Sequence, residues 1–137
     1  MAVKSQEERP ISSEEDILTV RNSVKRVTAL LNFSLVNQTK IISAASELAR
    51  NTLEHGKGGR SIIQLINDPD RVGIRIIFED KGPGIADISQ ALEDGFTSGR
   101  GMGLGLGGAK RLMDDFQIES KENEGTTVTV TKWLEKN

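Results

Sequence analysis

The 137-residue chain contains no cysteine and a single histidine, His55. Without thiols there is no disulfide framework, no thiol nucleophile and no thiolate metal site, and one histidine cannot form a multi-histidine cage. Long apolar runs are also missing: nothing approaches the length needed to span a bilayer, and the opening residues MAVKSQEERP are too polar for a signal peptide. Charge of one sign is scarce as well. Eighteen basic and 20 acidic residues leave a formal net charge of −2, which points away from nucleic acid and from anionic membrane as main partners. The chain is therefore expected to be soluble and cytoplasmic, in a reducing compartment. Its length predicts one domain over residues 1–137, with a single core.

Two helices are predicted ahead of any strong strand. Ser13 followed by Glu14, Glu15 and Asp16 has the chemistry of a helix start, because a serine cap and early carboxylates complement free N–H groups. Ile17, Val20, Val24, Val27 and Leu31 then recur at steps of three and four. A second helix is predicted from Val36 to His55, with Ile41, Ala45, Leu48 and Thr52 on one stripe and Gly56 as its stop. The period then changes to two. SIIQLIN (61–67) and VGIRIIFE (72–79), joined by NDPDR, predict a hairpin. A short helix after Ile85, a helix from Leu104 to Asp114, and closing strands FQIES and TTVTVTKW complete the chain. Val128 and Val130 alternate with Thr127, Thr129 and Thr131, the pattern of a sheet covered on one side. The expected fold is an α/β two-layer sandwich, with helices on a mixed, mostly antiparallel sheet.

Three segments carry chemistry. In SELARN, Glu47 and Asn51 stand four apart on one helical face. A carboxylate and an amide oxygen so placed suit proton abstraction and Mg²⁺ ligation, although the same spacing describes a solvated surface pair. In EDKGPGI, Asp80 ends an apolar strand and is followed by Gly82 and Gly84. A carboxylate there calls for a donor such as the adenine amine, and the glycines admit a flat base; alternatively Asp80 caps its own loop, with Pro83 and Gly84 forming a tight turn. In GRGMGLGLGGAKRL, Gly99, Gly101, Gly103, Gly105, Gly107 and Gly108 lead into a helix, an arrangement suited to a polyphosphate. The embedded Met102, Leu104 and Leu106 argue against a floppy linker. Gly103, Gly105 and Gly108 also match the dinucleotide fingerprint, but that motif must follow a strand directly and open a parallel βαβ unit, and ALEDGFTSGR precedes it here. No Gly-Lys-Ser or Gly-Lys-Thr occurs, so the common phosphate loop is absent.

Taken in order, ELARN, DKGPG, GMGLGLGGAKRLMDDF and EGTTVTV resemble the N box, the two glycine boxes and the final glycine-threonine segment of the GHKL ATPase superfamily, which includes gyrase, Hsp90, histidine kinases and MutL. The compact size, the short lid between Ile85 and Gly103 and the LEDGFTSGRGMGLGLGGAKRLMDDF segment are most similar to the small bacterial serine kinases of the anti-sigma and stressosome switch type. The resemblance implies the Bergerat ATP-binding fold, with ATP and Mg²⁺ as ligands. It makes Asn51 the Mg²⁺ ligand, Glu47 the general base, and Asp80 the acceptor for the adenine amine, assisted by Thr126 through water. Gly82 and Gly84 would shape the base pocket; Gly101, Gly103 and Gly105 would line the phosphates. It further implies a serine/threonine kinase whose substrate is a STAS-domain regulator, with a phosphatase or a sigma factor as a further partner. An anti-sigma factor that sequesters a sigma factor, and a nucleotide-gated binding module with little transfer, are the alternatives. His55 reads as a residue favoured by the helix dipole at a C-terminus. Lys57 and Arg100 are compatible with phosphate contact or with plain solvation.

Overall fold

The computed structural model describes residues 1–92, 97–98, 102–103 and 106–135. In chain order the elements are β1 (Ala2–Ile11), α1 (Glu14–Leu30), α2 (Leu35–Glu54), β2 (Gly59–Asn67), β3 (Val72–Asp80), α3 (Ile88–Ala91), β4 (Thr97–Ser98), β5 (Met102–Gly103), α4 (Leu106–Leu112), β6 (Asp115–Lys121) and β7 (Gly125–Trp133). The main sheet has the order β1-β2-β3-β7-β6, and β4 pairs separately with β5. Every pairing in both sheets is antiparallel. No parallel βαβ unit exists among the described residues, which removes the structural basis of the dinucleotide fingerprint.

The helices pack on one face of the sheet. Residues directly opposite in an antiparallel pair share a face. Ile63, Ile76 and Val130 form one such row and Ser61, Phe78 and Val128 the next. All six are buried, beneath Ile17, Val20 and Val24 of α1 and Ile41, Ala45 and Leu48 of α2. Ser13 caps α1 by accepting from the Asp16 N–H, and Ser34 caps α2 through the Asn37 N–H. The other sheet face is polar: Arg75 Nε donates to Gln64 Oε1 at 2.7 Å, and Gln64 Nε2 to Gln6 Oε1 at 2.9 Å.

One expectation is corrected at the start of the chain, where a ten-residue strand, β1, precedes the helices. Its sequence is strongly charged and shows no apolar alternation, because it is an edge strand held largely by polar side chains. Glu7 pairs with Arg26 of α1 at 2.6 Å, Glu8 pairs with Arg60 of β2, and Arg9 Nε donates to Ser23 Oγ at 3.2 Å. Charges on an edge strand also discourage pairing with another chain.

Candidate nucleotide site

Asp80 is the last residue of β3, the central strand, and lies opposite Thr126 of β7 and Gly59 of β2. Its carboxylate divides its work. Oδ1 accepts from the backbone N–H of Gly82 at 2.9 Å and of Thr126 at 3.3 Å. Oδ2 has no hydrogen-bond donor among the described residues, so it keeps its lone pairs for a ligand. The loop-capping reading of Asp80 is met by Oδ1, and Oδ2 has no protein donor among the described residues, which is compatible with the other reading.

The backbone around this carboxylate is drawn unusually close. A Cβ added at Gly56 would collide with the Asp80 side chain, and one at Gly82 would come within 2.6 Å of the Gly56 carbonyl oxygen. Gly56 thus does more than end α2: it leaves room for the carboxylate. Gly84 takes φ +77°, a conformation open to glycine and strained for other residues. The loop between these glycines is tied from three sides. Asn123 N–H donates to the Pro83 carbonyl at 2.7 Å, Ile85 N–H donates to Ser120 Oγ at 2.7 Å, and His55 Nε2 lies 3.2 Å from the Gly84 carbonyl. That carbonyl only accepts, so His55 carries its proton on Nε2 when the bond forms. His55 caps the C-terminus of α2, as the dipole argument expects, and in addition joins α2 to the base loop.

Asn51 and Glu47 come from α2, about 6 Å apart on one face by helical geometry. Their environments differ sharply. Asn51 is buried and its Oδ1 has no hydrogen-bond partner, whereas Glu47 is exposed and forms no ion pair or hydrogen bond among the described residues. A buried amide oxygen without a donor is costly, and a hard cation relieves it as well as a donor does. Among the described residues no group of three or more acidic, cysteine or histidine side chains could hold a metal. A cation here would thus take few protein ligands and complete its shell with phosphate oxygens and water, which is the habit of Mg²⁺ and fits a single asparagine.

Thr126 is almost fully buried beside Asp80, and its Oγ1 lies 2.8 Å from Ser120 Oγ. Gly103 falls in β5, which pairs with β4. Gly101 and Gly105 lie outside the described residues, as does Arg100. The glycine segment leads into α4, and the far end of that helix is anchored: buried Lys132 donates to the Leu112 carbonyl at 3.2 Å and approaches Asp114 at 3.4 Å. The structure therefore gathers Asp80, Gly82, Gly84 and Thr126 at one strand end, with His55 linking α2, the helix of Asn51 and Glu47, to the same loop. The sequence marks Gly56 only as a helix stop and does not single out Ser120 or Lys132. The Ser-x4-Gly-Thr spacing, Ser120 to Thr126, was the available signal for one of them.

An antiparallel five-stranded sheet under two helices, with an asparagine helix and an Asp-x-Gly-x-Gly loop meeting at one end, defines an ATP-binding domain of the GHKL type. Residues 36–136 match the family described as histidine kinase-, DNA gyrase B-, and HSP90-like ATPase, and the chain belongs to that family. Among characterised proteins it is 44% identical over 124 residues to the serine/threonine-protein kinase RsbT of Bacillus subtilis, covering 90% of this chain and 93% of that protein. It is 30% identical over 129 residues to the anti-sigma F factor of Clostridium novyi, covering 90% of each. The fold also matches the RsbU and RsbW domains of a Mycobacterium tuberculosis protein, with a TM-score of 0.67 at 19% identity, over 98% of this chain and 34% of that longer one. A second fold match is the SiaB-SiaC complex of Pseudomonas aeruginosa, with a TM-score of 0.57 at 9% identity, over 96% of this chain and 91% of that one. No helix among the described residues is long and apolar enough to cross a membrane.

Proposed function

We propose that this chain is an ATP-dependent protein serine/threonine kinase that acts in partner switching, phosphorylating a STAS-domain regulator such as an anti-sigma antagonist or a stressosome scaffold protein. The observation that carries the reading is the pair on α2: a buried, unpartnered Asn51 oxygen one turn from an exposed, unpartnered Glu47. A domain that only held nucleotide would need the first and have no use for the second. The similarity to RsbT over nine-tenths of both chains supports the same class of reaction.

Asp80 Oδ2 accepts from the amine of adenine, and the close backbone of Gly56, Gly82 and Gly84 sets the distance at which a flat base is held. Asn51 would hold Mg²⁺, which when bound would neutralise phosphate charge. The motif resemblance assigns Gly101, Gly103 and Gly105 to the phosphates. Glu47 takes the proton of the partner's hydroxyl as its oxygen bonds to the γ-phosphorus and the bond to the bridging oxygen of ADP breaks. Phosphoryl transfer requires chiefly positioning and charge neutralisation, and these residues supply both. The product phosphate adds nearly two negative charges against a surface shared with nucleotide and carboxylates, so the phosphorylated regulator is released. The freed kinase then engages a second partner, a phosphatase or a sigma factor, in the cytoplasm.

The test is incubation with γ-labelled ATP, Mg²⁺ and candidate STAS-domain and sigma-factor partners, followed by identification of the labelled residue. Label on a serine or threonine of a STAS protein is the expected result. Stoichiometric capture of a sigma factor would favour the anti-sigma reading, to which the likeness to the Clostridium novyi protein also points. Nucleotide-dependent binding without label on any partner would favour the binding module.

A further inference from the structure

From Ile17 to Ser46 the chain carries four basic residues, Arg21, Lys25, Arg26 and Lys40, and no acidic one, although its formal net charge is −2. Arg26 is engaged by Glu7 of β1, whereas Lys25 and Lys40 are exposed and form no ion pair among the described residues. Each of these two lysines stands five positions from the end of its helix at the α1–α2 turn, about 7.5 Å along the axis. At the turn itself Leu30 is 70% exposed, Leu35 80% and Val36 65%. Single exposed apolar side chains are ordinary; three within seven positions form a patch. The turn beneath them is well tied. Phe33 is buried, its N–H donates to the Thr28 carbonyl at 3.1 Å, and its own carbonyl accepts from Gln38 Nε2 at 2.8 Å. The patch is therefore held outward by an ordered scaffold, which lowers the cost of docking against it.

We propose that the tip of the α1–α2 hairpin is an interaction surface apart from the candidate nucleotide site, and that it docks a protein segment whose apolar side chains are flanked by carboxylates. Leu30, Leu35 and Val36 bury the apolar anchors, and Lys25 and Lys40 receive the counter-charges that the hairpin does not itself supply. Val36 and Lys40 lie one turn apart on one face of α2, so a single amphipathic segment meets both. The patch is eleven residues from Glu47, about 17 Å along α2, and a segment docked there leaves the nucleotide end open. The inference goes beyond the kinase reading and does not depend on it. A second copy of the chain is a poor occupant, because a two-fold contact between identical tips sets the lysines against one another. An anionic membrane is poorer still as a fit, since interfacial helices present a broad apolar face with aromatic anchors, and the hairpin's one aromatic residue, Phe33, is buried.

The probe is a synthetic amphipathic helix of leucine and glutamate, with a leucine-lysine peptide of the same pattern as control, each titrated into the isotope-labelled full chain at low salt. Amide shifts are expected at residues 25–40 with the first peptide and not with the second, and the affinity should fall as salt is added. The variant carrying both Leu35→Ser and Val36→Ser should bind the glutamate peptide about tenfold or more weakly, the scale of one apolar side chain left in water. Both positions are exposed, so its melting temperature should stay close to the parental one. Lys25→Glu combined with Lys40→Glu should reverse the preference between the two peptides, and this pair carries the test alone if the serine variant does not fold. Equal binding of both peptides, shifts confined to other parts of the chain, or no binding of the glutamate peptide would overturn the proposal and leave the kinase reading standing. Two further results would also overturn it. Hairpin shifts produced by phosphatidylglycerol vesicles and not by the glutamate peptide would assign the patch to a membrane, and a parental dimer in sedimentation that the serine variant dissolves would assign it to a second copy.

Discussion

The two ends of the candidate site are built on opposite plans. At the base end, Asp80 Oδ1, the Gly82 and Thr126 N–H groups, the Ile85 N–H and the Ser120 and Thr126 hydroxyls all find partners within the protein. At the proposed phosphate end, Asn51 Oδ1 is buried and Glu47 exposed, and neither has a side-chain partner among the described residues. Apart from Asp80 Oδ2, the first end is partnered before any ligand arrives, an arrangement that would hold a rigid base in a fixed pose at little cost on binding. The second end is left short of partners that a metal and a transferring phosphoryl group would provide. An unsatisfied buried amide oxygen costs about 1–3 kcal/mol. Under the proposed function, cation binding rather than stability accounts for this oxygen.

Variants of the base end should show the largest effects. Asp80→Asn keeps an oxygen for the Gly82 and Thr126 N–H groups but turns the free acceptor into a donor facing the adenine amine. Calorimetry should find ATP binding lost, with the thermal transition little changed. Unchanged affinity would reduce Asp80 and its glycines to a structural turn. Gly56→Ala places a methyl group against the Asp80 carboxylate. Overpacking of this kind costs about 1–3 kcal/mol, so both melting temperature and ATP affinity should fall together. This coupling of stability and binding is the mark of a preformed end.

Variants of the phosphate end should uncouple the same two quantities. Glu47→Ala is expected to bind Mg-ATP normally and melt normally, while transfer to a partner drops by about a hundredfold or more, the scale for loss of a general base. Transfer at the parental rate would remove Glu47 from the mechanism. Asn51→Ala should lose the Mg²⁺ dependence of nucleotide binding and yet be no less stable than the parent, since it deletes the unpaired oxygen. A clear drop in melting temperature for Asn51→Ala would break the comparison, because it would mean that the oxygen is satisfied in the folded chain.

The grouping of the candidate residues was legible from sequence because each group is local along the chain, while their roles remain those that the resemblance implies. Asp80, Gly82 and Gly84 share one loop, and Glu47 and Asn51 share one helical turn, so spacing alone brought each group together. The two helices and the hairpin were legible for the same reason: their apolar periods are local and strong. What escaped was set by contacts distant along the chain. The polar residues 2–11 form β1 by a backbone ladder to β2, with Glu7 on Arg26 and Glu8 on Arg60, and none of these partners is near in sequence. Gly56 resembles any helix stop until Asp80, 24 positions later, is seen against it. Ser120 resembles any strand serine until Ile85 and Thr126 are found on its hydroxyl. The Gly101 and Gly105 assignments lie outside the described residues and stand as part of the proposal.

The smallest effect is expected at the corner where β1 enters α1, one strand beyond the base end. Ile11 closes β1 opposite Gly59, which itself lies opposite Asp80. The corner is held by Asp16, whose Oδ2 accepts from the Ser12 N–H at 2.8 Å and from the Ser12 hydroxyl at 3.0 Å. The Ser12 backbone N–H, aided by that hydroxyl, holds the Asp16 carboxyl below the usual carboxylate range. A carboxyl with a depressed folded-state pKa stabilises the protein above its unfolded value of about 3.9, and the contribution disappears as pH falls through the folded value. Asp16→Ala should therefore melt slightly below the parent at pH 7, and the two curves should converge in acid as pH falls through the folded value. ATP affinity at pH 7 should not change, because the pairing of β2 with β3 and not β1 sets the Asp80 cradle. If Asp16→Ala weakened ATP binding, the rigidity of the base end would have to extend through β1 to the helix it feeds. The contrast between the two ends would then concern the whole edge of the sheet and not one loop.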